Sequence, residues 1–301
     1  MSLKFKKIYT INSLEEVSFA NTFCFYGENL DDRGSAAYSK IQKDGGVSTY
    51  FSYDHHNYSI NINSETISMA NFYEYMQRLP YTHILVEATT LSFPEILLIL
   101  NAINSNDHVK QIDFLYIEPE EYKQKNTHIY TYGDFDLSDR YEKYESIPGF
   151  IKYNDAKIEL VAFLGFERSR LGQLLQNDDG ATYNKLSPII PLPAFAVGWE
   201  NRTITSHLEY FTPSYGFTRL KYVGANNPYQ AYTLLNDIAI NKYPFRVAPI
   251  GTKPNAIGCA VFLINARTND FDVDVIYDFP KKSKGRSDGI GKINIYSLLK
   301  S

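Results

Sequence analysis

Apolar residues fall along this chain in short uninterrupted runs, and the runs alternate with segments of helical spacing. Residues 23–26 are such a run and predict a strand, and SAAYSKIQ after Arg33 then reads as a helix with Ser35 as its cap. STYFSYDHHNYSININ alternates in part, which predicts one or two strands around a turn at residues 54–57. SMANFYEYMQRL sets Phe72, Met76 and Leu79 along one helical face. Residues 84–86 are apolar throughout, as a strand buried on both faces should be, and Pro94 is placed to start the helix EILLILNAI. A strand over residues 112–117 completes this series.

A second series begins with a strand over residues 158–164 and a helix over 168–176. SPIIPLPAFAVGW contains three prolines, which exclude a long helix and favour an extended segment or an edge strand. A helix over 229–240, a strand over 245–250, a helix over 254–266 and a strand over 272–277 follow. The tail KKSKGRSDGIGKINIYSLL predicts a Gly-rich turn and one last strand or helix. Strands alternating with helices through short turns predict an α/β chain of two Rossmann-like halves, each a mainly parallel, helix-flanked sheet. The expected boundaries are 1–121 for the first half, 122–156 for a polar, Tyr-rich connector, and 157–301 for the second half.

The two series repeat a pattern. TFCFYGENLDDRG matches IELVAFLGFERSR, and the Pro-started strand-helix-strand units keep their length: 22 positions separate Pro94 from Tyr116 and 23 separate Pro254 from Tyr277. Strand-to-helix turns are where open α/β sheets hold ligands, so the duplicated turns predict one composite cleft.

Composition narrows the class. Of the 301 residues 44% are hydrophobic, ample for a core, and the net charge of −4 implies no broad basic surface for extended nucleic acid. Two cysteines, Cys24 in a strand and Cys259 in a helix, suit buried reduced thiols rather than a disulfide framework or a zinc site, and point to the cytoplasm. No apolar run is long enough for a membrane span. No metal and no cofactor are expected, since no Walker loop, G-x-G-x-x-G, H-E-x-x-H or G-x-S-x-G occurs.

The sharpest local chemistry is GTKP at residues 251–254. Gly251 lets backbone approach a ligand, Thr252 and Lys253 add a hydroxyl and a cation, and Pro254 opens a helix whose first N–H groups favour an anion. An ordinary capped turn is the plainer alternative. At the first-strand exits Gly27 and Gly165 permit sharp turns, while Arg33, Arg168 and Arg170 have the fork geometry for phosphate or carboxylate. Glu28 and Glu167 stand ready for ribose hydroxyls or a partner; the alternative is local Arg–carboxylate pairing. Glu87, Glu118 and Asp278 end successive strands, where a general base or metal ligand could sit, or where they merely cap helices. Arg202 and His207 in RTITSH have ribonuclease-like spacing, but TIT disfavours the helix such a motif needs. Adjacent His55 and His56 would point apart in a strand.

Residues VAPIGTKPNAIGCAVFLINA (247–266) resemble the strand, Thr-Lys loop and helix of the CRISPR-associated Rossmann fold (CARF) nucleotide sensors, with Ile250 where that loop often has a second Gly. The resemblance extends to the rest of the second half in topology only. It implies that Thr252 and Lys253 contact a cyclic oligonucleotide messenger. Together these readings point to a non-catalytic sensor or binding subunit of a prokaryotic antiviral defence system, taking a small phosphate-bearing nucleotide and reporting to a protein partner. The alternatives are a nucleotide- or phosphoester-acting enzyme built on the strand-end carboxylates, and a structural subunit of a larger defence complex.

Overall fold

The computed structural model describes residues 2–122, 138–140, 144–152, 158–176, 182–241, 243–282 and 287–301. In chain order the first elements are β1 (Leu3–Ile11), β2 (Phe23–Tyr26), α1 (Asp32–Lys43), β3 (Val47–Asp54), β4 (Ser59–Ile62), β5 (Glu65–Ser68) and α2 (Met69–Gln77). Then come β6 (His83–Glu87), α3 (Phe93–Asn104), β7 (Gln111–Ile117), β8 (Glu121–Tyr122), β9 (Ser138–Arg140) and β10 (Glu145–Ser146). β11 (Ile158–Phe163), α4 (Arg168–Gln176), β12 (Tyr183–Pro191), α5 (Trp199–His207), β13 (Lys221–Val223) and α6 (Pro228–Ala239) follow. The chain closes with β14 (Phe245–Pro249), α7 (Lys253–Thr268), β15 (Val273–Tyr277), β16 (Lys281–Lys282), β17 (Ser287–Asp288) and β18 (Ile293–Lys300).

These elements form two compact units, Met1–Lys123 with Lys284–Ser301, and Gln124–Ser283. Residues 284–301 therefore leave the second half to which their position assigns them. β18 lies between β1 and β7, pairing Ile293 with Ile117 and Leu298 with Ile112, and it is buried from Ile293 to Leu298, with Asn294 and Ser297 among the apolar residues. Residues 123–137, 141–143 and 153–156 of the expected connector lie outside the described residues, as do 157 and 283–286 of the expected second half. The described part of the connector contributes β10, which pairs with β15, and the buried Tyr144, Ile147 and Phe150.

The first unit's sheet runs β1-β18-β7-β6-β2-β3-β4-β5. Its four central strands are parallel, but β1, β18, β4 and β5 are antiparallel to their neighbours, so this sheet is mixed rather than mainly parallel. Ile84, Leu85 and Val86 are buried, as their unbroken run predicts, and α3 is enclosed from Phe93 to Leu100 apart from half-buried Glu95. Glu95 closes the start of α3 by accepting the Ser92 N–H at 2.5 Å. Asp31, not Ser35, caps α1, accepting the Arg33 N–H at 3.2 Å.

The second unit's main sheet runs β10-β15-β14-β11-β12-β13 and is parallel except for β10. From β13 to β15 the order by appearance is 3-2-1-4-5, the doubly wound arrangement. The proline-rich β12 is extended but interior, flanked by β11 and β13; Pro188 and Pro191 are tolerated among buried Ile189 and Ile190. α5 spans the RTITSH segment that intrinsic propensity disfavours as helix, an instance of packing overriding a weak local preference. The chain is thus α/β throughout. Among the described residues no helix is long and apolar enough to cross a membrane.

Candidate functional site

In the second unit the order of strands reverses between β11 and β14, and four loops meet at the carboxyl ends of the sheet there. Gly251 lies so close to the β11 exit that a Cβ on it would stand 2.8 Å from the Leu164 carbonyl oxygen. Its φ is not positive, so glycine serves close approach rather than a left-handed turn. Gly27 and Gly165 likewise have no positive φ and lie close to neighbouring backbone. Thr252 is the N-cap of α7: its hydroxyl accepts the Asn255 N–H at 3.4 Å and donates to the Ala225 carbonyl at 2.7 Å. Ala225 N–H in turn donates to the Pro193 carbonyl at 2.9 Å, and Asn255 Nδ2 to the Gly224 carbonyl at 2.9 Å. The exits of β12, β13 and β14 are thereby tied together. Lys253 and Thr252 are half-buried on this rim, Pro254 is buried beneath it, and α7 below is enclosed from Pro254 to Ala266.

Arg170 has a different task. Its Nε and Nη2 meet the two Asp278 carboxylate oxygens at 2.6 and 2.5 Å, and Nη1 donates to the Ile250 carbonyl at 3.1 Å and to Glu167 at 3.4 Å. Asp278 is fully enclosed and Arg170 is 6% exposed, so this fork is an internal tie joining α4 to the ends of β14 and β15. Burial opposes the guanidinium charge, but the Asp278 carboxylate more than compensates, so the Arg170 guanidinium holds its proton more firmly than usual. Burial pushes the neighbouring Tyr277 phenol up to about 12, against the pull of Arg170. Arg168 lies at the surface in a bidentate pair with Glu209, at 2.7 and 2.6 Å.

The first unit repeats the tie with different partners. Arg33 forks onto Asp31, its Nη2 at 2.6 Å, and donates through Nη1 to the Ile117 carbonyl at 3.1 Å. Gly27 again lies against the neighbouring exit: a Cβ there would stand 2.9 Å from the Thr90 carbonyl oxygen, and its N–H donates to Thr90 Oγ1 at 2.8 Å. Glu87 accepts the N–H groups of Thr89 and Thr90, each at 3.0 Å, and the Thr90 hydroxyl. Glu118 accepts from Asn294 Nδ2 at 2.8 Å. Burial raises both carboxyls above their ordinary range, partly offset by these donors. All three strand-end carboxylates are thus enclosed and bonded inward, and neither Glu87 nor Glu118 caps a neighbouring helix through its side chain.

Gly251, Thr252 and Lys253 therefore share one rim with Gly165, while Arg33, Arg170, Glu167 and Asp278 are absorbed into packing. His207 lies on a helix after all, but it is fully buried and its Nδ1 donates to the Thr203 carbonyl at 2.8 Å. His55 and His56 stand in the turn expected at residues 54–57, and their rings lie side by side with centroids 4.0 Å apart instead of pointing apart. Among the described residues no group of three or more His, Cys, Asp or Glu side chains is placed to hold a metal. Both cysteines are buried, and burial pushes their thiols well up, leaving them inert. Sequence reasoning passed over Phe166 and Trp199, which meet edge to face beside Gly165 with centroids 5.4 Å apart. The signal was present: Trp199 is the chain's single tryptophan and follows a Gly.

No protein-family model matches the sequence, and no curated protein matches it. Among solved structures the chain was aligned with a periplasmic binding ribose operon repressor protein from Lactobacillus acidophilus, at 12% identity over 90% of this chain and 99% of that one, with a TM-score of 0.18.

Proposed function

We propose that this protein is a non-catalytic sensor, or binding subunit, for a small phosphate-bearing nucleotide, and that the second unit holds the phosphate. One observation carries the reading. The Gly251–Pro254 loop lies at the switch point of a 3-2-1-4-5 parallel sheet, with a hydroxyl and an ammonium at the start of a 16-residue helix. That combination favours an anion without any reacting group. The inward bonding of Glu87, Glu118 and Asp278 supports binding over chemistry, because a base or metal ligand must face its substrate. The resemblance of residues 247–266 to CRISPR-associated sensors supports the remainder of the reading: a cytoplasmic role in prokaryotic antiviral defence, with occupancy reported to a protein partner.

Mass spectrometry of small molecules released from the purified protein tests this directly. The expected result is a stoichiometric nucleotide that is lost from the Lys253→Ala protein. Release of no phosphate-bearing compound, together with no binding from a panel of linear and cyclic nucleotides, overturns the proposal.

A further inference from the structure

Phe163 and Phe166 stand three residues apart at the end of β11, yet only the first is core: Phe163 is 1% exposed, whereas Phe166 is half-buried and turned to the loops. Phe166 directly follows Gly165, which packs against the Gly251 backbone, so it is one residue from that contact and Lys253 is two residues from it on the other side. Trp199 meets Phe166 at an interplanar angle of 80°. It begins α5 immediately after Gly198, whose φ of 87° turns the chain sharply, and after Val197, which is fully exposed. One helical turn on, the Arg202 guanidinium lies 6.0 Å from the Phe166 ring centroid. Trp199 and Arg202 are half-buried like Phe166.

Two aromatic rings and a planar cation, each keeping open surface at the carboxyl edge of a parallel sheet, have the chemistry of a stacking platform. Every nucleobase presents a π face, and both aromatic rings and guanidinium planes stack on it. We infer that Phe166, Trp199 and Arg202 receive the base of the ligand, so that the second unit reads a nucleotide rather than a bare phosphate or a sugar phosphate. This inference rests on the phosphate reading of Gly251–Pro254, and it adds the residues that set specificity.

Because Trp199 is the single tryptophan, its fluorescence reports on the platform without labelling. The probes are AMP, UMP and their linear and cyclic dinucleotides, against ribose 5-phosphate and inorganic pyrophosphate. At least one base-bearing probe should quench Trp199 and bind about ten- to a hundred-fold tighter than ribose 5-phosphate. Phe166→Leu should remove that advantage while leaving ribose 5-phosphate binding unchanged, and Lys253→Ala should weaken all phosphate probes together. Arg202→Met, which keeps the aliphatic stem of a half-buried side chain, gives a second variant should Phe166→Leu melt early; it should reduce the advantage in part. If base-bearing and base-free probes bind equally and still depend on Lys253, the platform is refuted and the phosphate site stands. If no probe binds, both fall.

Discussion

Replacing Arg170 with Met should destabilise the second unit severely, because the side chain it strands cannot reach water. Asp278 is fully enclosed and receives two short bonds from Arg170, at 2.6 and 2.5 Å, and the Ile250 carbonyl receives a third at 3.1 Å. Breaking one side of such a buried pair costs about 3–5 kcal/mol, since an uncompensated carboxylate remains in the interior. Removing both charges at once, as Arg170→Met with Asp278→Leu, should recover most of that loss. Arg168→Met is the internal control: its pair with Glu209 is half-exposed, so solvent screening limits the cost to less than about 1 kcal/mol. Urea unfolding followed through Trp199 reads the second unit specifically, as the tryptophan lies within it. A loss below about 1 kcal/mol for Arg170→Met, or one no greater than for Arg168→Met, would refute the assignment of Arg170 to packing.

Three further outcomes are expected. Gly251→Ala places a methyl 2.8 Å from the Leu164 carbonyl oxygen, so backbone must shift; a destabilisation of about 1–3 kcal/mol in the same unfolding assay is expected. Thr252→Ala removes the α7 cap and the bond to Ala225, costing about 1–2 kcal/mol, and Thr252→Ser should restore most of it. Glu118→Gln should flatten the pH dependence of the first unit. Burial raises the Glu118 carboxyl from its ordinary 4.5, so the folded state holds the proton more tightly than the unfolded chain. Its contribution is then fully present below 4.5 and lost as pH rises through the folded value. The variant's advantage over wild type should grow from acid toward neutral pH when hydrogen exchange of Gln111–Ile117 is measured.

The alternation of apolar runs and helical segments sufficed for the α/β class because buried parallel strands and amphipathic helices write their periods directly into sequence. Partnership did not follow so easily. INIYSLLK reads as a strand or a helix, and nothing local says that it pairs with β7 instead of extending the sheet nearest in sequence, since strand pairing is decided by tertiary contact. The arginines show the same gap at the level of chemistry. Arg33, Arg168 and Arg170 look alike in ERSR and DDRG, but burial separates the internal ties of Arg33 and Arg170 from the surface pair of Arg168. The GTKP loop was legible because Gly, Thr, Lys and Pro each have a positional meaning at a helix start. Phe166 and Trp199 carry no such meaning until the loops that hold them are placed.

The measurement that bears most directly on the second unit as an anion site is a calorimetric titration of linear and cyclic nucleotides into wild-type protein and Lys253→Ala. Saturable one-site binding by wild type, weakened about ten- to a hundred-fold by removing the ammonium, is the predicted result. Binding that is indifferent to Lys253, or no binding by any nucleotide, would contradict it.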